Sequence, residues 1–508
     1  MQILSLHPRH DANVAVLAKN DYHIIELERV FNERHLDWMH PGIPGLSPSK
    51  ISQILAEHLR QFFPGGFDAG VVSEAKAPPI EPFNIAHWHH YQHHRAHAAV
   101  AFYQSPFPQA LVISYDGGGE DGYFRSFLAD YQSGITYLDE GLRLNLGSAY
   151  AVLAEPILEI KRSTISLFPN AGKMMGLAGY GSPVKKWLPA IRDFYRDVKK
   201  SALRIPELPL LGVRLGVDLS GKTLSGQLAA DYAATCQQAF EDVLFAAIWP
   251  IMRANPLPVC LTGGCALNVI FNEKLSRRAD VPVFVPPNPN DCGLALGAML
   301  LHVPPARTIN VTYAGLPLLD MELLESHKNK RKIDAVGVAK LLAAGKILGV
   351  ARGGSEHGPR ALGNRSILAD PGIMGLKDRL NRRIKFRESF RPYGPITKED
   401  KVTEYFECGR CDMSFMSFNP QVKSSWGHLA AVVHVDGSAR VQTVRRDQNP
   451  WIYEVLDAFE SSQGYALLLN TSFNTKGRPI LTTVKEALEV LRNTEIDGVV
   501  IEDWLCLR

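Results

Sequence analysis

No stretch of the 508-residue chain is apolar for long enough to cross a bilayer. The densest run, Val243 to Met252, has ten residues and contains Pro250, against about 20 for a spanning helix. The N-terminus, MQILSLHPRHD, lacks the basic stretch and apolar core of a secretory signal, so a cytoplasmic protein with no membrane partner is expected. Cysteine is sparse, at seven, and an odd, scattered set fits reduced thiols rather than a disulfide framework. An excess of one charge is also missing. A net charge of +3 argues against bulk nucleic-acid binding, although a local basic groove remains compatible with it. The 41 Gly and 33 Pro are dispersed, which excludes collagen-like and low-complexity chains. What is present is ordinary globular composition, 46% hydrophobic and 21% charged, at a length that suggests two to four domains.

The chain opens with apolar, β-rich runs at Gln2–Leu6, Ala12–Ala18 and Tyr22–Leu27, with the turn Lys19-Asn20-Asp21 between the last two. Ile51–Phe62 has helical spacing. Ala110–Tyr115 reads as a buried strand ending in a sharp turn at Asp116-Gly117-Gly118-Gly119. Gln227–Met252 reads as a long helix leading into the strand Val259–Thr262, the pair Gly263-Gly264 and a further helix. Strand, glycine turn and helix in alternation imply a layered α/β architecture with ligand loops at the strand ends. Between about 303 and 332 the composition shifts, ending in the charge run His327-Lys328-Asn329-Lys330-Arg331-Lys332, which reads as a solvated connection. The expected division is 1–315, a linker 316–332, and a second α/β unit 333–508 with strands at Leu429–Val435 and Tyr465–Leu469. No internal repeat is legible.

Six of the 17 histidines fall between His87 and His97, in HWHHYQHHRAH. Helical residues four apart share a face, so His93/His97, His89/His93 or His90/His94 can ligate one metal ion. A helix beginning near His93 favours His93/His97. No Glu follows the first His, which disfavours a zinc peptidase. Carboxylates that suit the same ion are Asp116, after a buried strand, and Asp291, opening an apolar helix; Asp is equally a good turn and N-cap residue.

Two phosphate-loop signals compete. GVDLSGKT (216–223) matches GxxxxGK[ST] and would place Lys222 on a nucleotide. A P-loop's acidic partner normally follows it, however, whereas Asp116 precedes this one by a hundred residues, and Ser225-Gly226 interrupts the would-be helix. The alternative is the pair of glycine turns DGGGEDG and LTGGCALN, which suits an actin/hexokinase-type cleft with phosphates between backbone amides. Farther on, Arg352, Arg360 and Arg365 lie among glycines, Lys385, Arg387 and Arg391 follow in KFRESFRPYGP, and Ser472, Asn474, Lys476 and Arg478 in LLLNTSFNTKGRPI. Guanidinium forks beside glycine amides suit a small phosphorylated substrate. Cys408/Cys411 (CGRC) reads as two ordinary thiols in a loop, since no second CxxC completes a zinc site.

Together the segments HDANVAVL, ELERVFNERH, HHRAHAAVAFY, YDGGGEDG, NAGKMMGLAGYG, LTGGCALN, NDCGLALGA, HGPRALGNRSILADP, KFRESFRPYGP and LLNTSFN resemble the NodU/CmcH family of O-carbamoyltransferases along nearly the whole chain. The resemblance implies an actin/hexokinase-type N-terminal domain followed by a YrdC-like α/β domain. The latter would form carbamoyl-adenylate from carbamoyl phosphate and ATP, with Mg(II) accompanying ATP. The former would pass the carbamoyl group to a hydroxyl of a small natural-product acceptor of the antibiotic-tailoring kind. It further implies a divalent ion, Fe(II) before Zn(II), on His93, His97, Asp116 and Asp291. His10 and Lys173 become the catalytic candidates, and Gly117, Gly118, Gly263, Gly264 and Asn268 face nucleotide in the transfer domain. Arg352, Arg360, Lys385, Arg391, Ser472 and Asn474 grip carbamoyl phosphate and ATP. The alternatives are threonylcarbamoyl transfer to tRNA, a P-loop phosphotransferase through Lys222, and a non-enzymatic actin-type or metal-binding module. The sequence assigns neither the acceptor nor an oligomeric state.

Overall fold

Lys19 and Asn20 take left-handed φ values of 52° and 71°. They close a two-residue hairpin in which Ala18 pairs with Asp21, the geometry that matches strand twist. This hairpin begins the first of the sheets in the computed structural model, which describes residues 1–138, 142, 144–160, 167–197 and 205–508. Gln2–His7, Asn13–Ala18 and Asp21–Glu26 form an antiparallel meander, with Ala69–Val72 parallel to the first strand and Trp88–His90 outside it. Numbered within the sheet, the spatial order is 3-2-1-4-5.

A second sheet repeats that order. Gln109–Gly119, Gly122–Asp130 and Gly134–Tyr137 make the meander, while Val259–Thr262 and Val283–Phe284 add in parallel on the other side. The repeat that the sequence does not display is therefore present as topology, two halves with one connectivity. This is the duplicated α/β arrangement expected of an actin/hexokinase-type domain. Helices His93–Gln104 and Leu294–His302 lie between the two sheets. They fill one core with Ile3, Ala15 and Val71 from the first sheet and Val112, Phe127 and Phe284 from the second. The long helix Gly226–Ala254 packs on the far face of the second sheet.

Residues from 330 onward build an eight-stranded mixed sheet with helices on both faces. Lys330–Lys332, read from sequence as part of a connection, is its outer strand, paired with Trp504–Cys506. A charged edge of this kind discourages pairing with other chains. Two expectations fail here and in the second sheet. Leu429–Val435 is not a strand: Leu429, Ala431 and Val432 are buried from successive turns, the N–H groups of Leu429 and Val432 bond three residues back, and Val435 is exposed. A short apolar run alone does not separate these cases. The strand expected to end at Tyr115 runs on to Gly119, with its register shifted between Tyr115 and Gly119. The sharp turn falls at Glu120-Asp121 instead.

The two parts of the chain are stitched together at buried points. Arg29 pairs with Glu26 at 2.7 Å, and it donates to Glu356 O (2.6 Å) and Gly358 O (2.7 Å) across the junction. At the opposite side Val283 N–H donates to Arg410 O (2.9 Å), so the CGRC loop seats against the edge of the second sheet. Its two cysteines are unbridged. No helix among the described residues is long and apolar enough to cross a membrane.

Candidate active site

The six clustered histidines separate into three groups. His87, His89 and His90 lie on or beside the short outer strand, away from the core. His94 is a buried structural residue: Nδ1 meets Ser114 Oγ at 2.7 Å and Nε2 meets Gly122 O at 3.0 Å. Burial, with help from His93, pushes its pKa down to about 4. His93 and His97, one helical turn apart, point at carboxylates. The helix begins at His93 because Asp121, from the hairpin after Gly119, accepts the His94 N–H at 3.1 Å. A free amide of the first turn is thereby satisfied. Gly119 is required beside it, since a Cβ there would sit 2.6 Å from the His93 ring.

His93 Nε2 and His97 Nε2 lie 3.3 and 3.1 Å from Asp116 Oδ2, and 3.7 and 3.4 Å from Asp291 Oδ1. Tetrahedral ligands about 2.0–2.1 Å from one ion stand about 3.4 Å apart, so this donor set has the dimensions of a first coordination sphere. Two imidazoles and two carboxylates suit Fe(II) or Zn(II). The remaining nitrogen of His93 meets Glu74 Oε1 at 3.0 Å, the carboxylate backing that orients metal-binding imidazoles. Burial disfavours charge on His93, but Asp291, Asp116 and Glu74 outweigh it and raise its pKa well above normal. Asp116 is held well below the carboxylate range because bonds from His93 and His97 overcome its burial. Asn13 anchors the fourth member, donating to Asp291 O (2.9 Å) and accepting from Ala295 N–H (3.1 Å).

His10 borders this cluster. Its Nε2 is 3.3 Å from Asp291 Oδ2 and its Nδ1 is 3.5 Å from Asp11 Oδ2, while its ring rests on Phe168 with centroids 4.6 Å apart. Burial works against protonation, yet Asp291 and Asp11 raise its pKa to about 9.

From His10, Asp116 and Asp291 a single cavity of about 730 Å³ runs past Gly117, Gly264, Asn268 and Lys173 to a basic bay. The bay holds Arg360, Lys385, Arg387, Arg391, Ser472 and Asn474. Lys385 is buried, with Nζ 2.6 Å from Ser472 O, 3.3 Å from Ser472 Oγ and 2.8 Å from Asn474 O. Asn474 Oδ1 is a further partner. An ammonium has three protons, so Lys385 fixes the Ser472–Asn474 loop and contributes charge rather than a free donor. Its pKa is driven well down by burial, then by Arg387, Arg391 and Arg34. Lys173 Nζ is 3.5 Å from Glu388, and Glu388 is also 3.7 Å from Arg391. Lys173 thus stands at the mouth of the bay rather than beside the imidazole cluster.

Three of the expected site residues lie elsewhere. Arg352 is outside the cavity, with its guanidinium 4.3 Å from the Trp451 ring centroid and 3.4 Å from Asp503. Gly118 and Gly263 do not line the cavity either. Gly263 has φ +87°, and a Cβ there would lie 2.2 Å from Tyr115 O, so its role is to let the turn close against the strand. Arg365 is fully buried and donates to Arg352 O, Asn364 O, Leu316 O and Gly353 O, a structural task. Lys222 donates to Ile160 O at 2.9 Å and does not line the cavity. Its loop follows the helix Leu208–Leu215 instead of a strand, so it is not a P-loop.

Sequence reasoning missed Arg440, Arg34 and Glu74. Arg440 lines the bay, and its Nε is buried with no partner among the described residues. Burial, then Arg360, Arg387 and Arg391, depress its pKa. It sits in the unremarkable stretch DGSARVQ, eighty positions from Arg360, with no local signal.

Residues 48–300 match the family model described as Carbamoyltransferase N-terminus, and residues 339–508 match Carbamoyltransferase C-terminus. The chain is similar to nodulation protein NolO of Bradyrhizobium diazoefficiens, 33% identical over 449 residues that cover 81% of this chain and 78% of the relative. It is also similar to nodulation protein U of Sinorhizobium fredii, 31% identical over 78% of this chain and 75% of that one. Among solved structures, T. kodakarensis HypF is similar over 59% of this chain and 47% of its own, at 13% identity and a TM-score of 0.34. The extent and identity of the first two matches, with both family models in order along one chain, make this protein a member of the carbamoyltransferase family.

Proposed function

We propose that this carbamoyltransferase is an ATP-dependent O-carbamoyltransferase whose two steps occur at the two ends of one cavity. The observation that carries this reading is the continuity of that cavity from the imidazole–carboxylate cluster to the basic bay. At the basic end, water cleaves carbamoyl phosphate to carbamate and phosphate. Carbamate oxygen then attacks the α-phosphorus of Mg-ATP and expels pyrophosphate, leaving carbamoyl-adenylate. Arg360, Arg391 and Arg440 neutralise the phosphate oxygens as the anions approach, and Lys385 holds the Ser472–Asn474 loop in place. Enclosure keeps the mixed anhydride from bulk water.

At the other end, Gly117, Gly264 and Asn268 receive the adenylate, and His10 takes the proton of an acceptor hydroxyl at Nε2 as that oxygen attacks the carbamoyl carbon, the carbamoyl–phosphate bond breaks and AMP leaves. A divalent ion on His93, His97, Asp116 and Asp291, Fe(II) before Zn(II), would supply Lewis acidity at the anhydride and weaken the hold of Asp291 on the His10 proton. The acceptor is a small hydroxylated natural product.

The test is pyrophosphate release from ATP by metal-replete protein with no acceptor present. Release that requires carbamoyl phosphate is expected. Release that is indifferent to carbamoyl phosphate overturns the adenylation step.

A further inference from the structure

Arg34 belongs to the N-terminal part of the chain, on the loop after the short helix Leu27–Val30. It lines the same cavity as the basic bay. Its charge bears on three cations of the C-terminal part, Arg360, Arg391 and Lys385. No carboxylate or carbonyl partners its guanidinium, nor that of Arg360, among the described residues. Uncompensated like charges brought together in a cavity destabilise a protein unless an anion is to be bound there.

The loop is not placed by chance. Arg29, five residues before Arg34, donates to Glu356 O and Gly358 O of the turn that carries Arg360. Glu28 Oε2 accepts the His35 N–H at 2.9 Å, and Ala12 N–H donates to Leu36 O at 3.0 Å. Arg478 NH1 reaches Asn32 O at 3.5 Å from the opposite wall. The last three braces end one or two residues from Arg34, at His35, Leu36 and Asn32, on both sides of it.

We infer that Arg34 is a substrate-binding residue of the basic bay, lent by the N-terminal part, and that Arg29 is the positioning residue that fixes it opposite Arg360. The ligand class is a phosphate or phosphoric anhydride, gripped from both parts of the chain at once. This rests on the adenylation reading for its substrate but not for its anion site. The anion-binding surface of the C-terminal unit is, on this view, incomplete without the first 40 residues.

The experiment uses the full chain with Arg34→Ala and Arg34→Lys. Two readouts are needed: thermal stability with and without inorganic phosphate, and the dependence of acceptor-free pyrophosphate release on carbamoyl phosphate. Arg34→Ala should melt no lower than wild type in phosphate-free buffer, because it relieves repulsion. It should lose most of the stabilisation by phosphate, and its KM for carbamoyl phosphate should rise at least tenfold, with Arg34→Lys intermediate. A lower melting temperature with unchanged phosphate stabilisation and KM would make Arg34 merely structural and overturn the inference. If wild type shows no release dependent on carbamoyl phosphate, but phosphate stabilisation is still lost in Arg34→Ala, the adenylation reading fails while the Arg34 site stands.

Discussion

At the imidazole end of the cavity, cations and anions are matched atom to atom. His93 and His97 face Asp116 and Asp291, Glu74 backs His93, and His10 lies between Asp11 and Asp291. At the basic end the matching stops. Arg34, Arg360 and Arg440 have no carboxylate among the described residues, and Glu388 is divided between Lys173 and Arg391. The first end is arranged for a cation that slips between donors already oriented, and the second for an anion that brings its own charge. Substitutions should therefore act in opposite ways at the two ends, and four measurements put this contrast at risk.

The largest effect is expected at Arg360. Arg360→Ala should lower kcat/KM for acceptor-free pyrophosphate release by about 10³-fold, with metal content unchanged by elemental analysis. Equal loss of metal and of release would mean that the ends are not independent. Asp116→Asn should do the reverse, lowering carbamoyl transfer by about 10²-fold or more and metal content with it. Acceptor-free pyrophosphate release should stay within about threefold, an estimate that treats distant sites as additive.

A smaller effect belongs to the contact between the two parts. His434 Nε2 meets Gly176 O at 3.1 Å, and Asp436 lies 3.1 Å from His434 Nδ1. Although burial would raise it, His434 and Ser438 depress the Asp436 pKa to about 2 from its ordinary 3.8. A depressed carboxylate stabilises the fold above its unfolded pKa, and the contribution disappears as pH falls through the folded one. Asp436→Asn should thus cost up to about 1 kcal/mol at neutral pH, discounted for the partial exposure of the pair. The melting-temperature gap to wild type should close between pH 4 and pH 2. A gap that widens on acidification would reverse the assignment. Least of all, Lys222→Ala should leave ATP turnover within about twofold of wild type, since Lys222 does not line the cavity. Complete loss would restore the P-loop and undo the contrast.

Much of the cation-binding end was legible because its signal is local. HxxxH places two imidazoles on one helical face at any position in any fold, and Asp116 and Asp291 stand at the end of a strand and the start of a helix. The basic end was legible where Arg360 sits among glycines and where Lys385, Arg391, Ser472 and Asn474 fall in the KFRESFRPYGP and LLLNTSFNTKGRPI segments. Arg440 and Arg34 arrive there by tertiary folding, Arg440 from a stretch with no local pattern and Arg34 from the segment ELERVFNERH, where nothing local marks it as facing the bay. Arg352 shows the converse error, since glycine neighbours do not tell an arginine that faces a ligand from one that stacks on Trp451. The repeated strand order was hidden for a similar reason. Two meanders with the same connectivity need share only alternation and turn chemistry, which many sequences satisfy. Leu429–Val435 was misread because burial, not pairing, is what an apolar run requires.

The seating of the CGRC loop on the strand Val283–Phe284 has a consequence for the nascent chain. That two-residue strand is the outer member of its sheet, and the carbonyl that satisfies Val283 N–H is Arg410, more than a hundred residues later. At about 5–20 residues per second, the edge stays open on the ribosome for roughly ten seconds. Closing so long a loop also slows the final docking step. The N-terminal part is therefore most exposed to edge-to-edge association while the C-terminal part is being synthesised, and the CGRC loop then covers that edge.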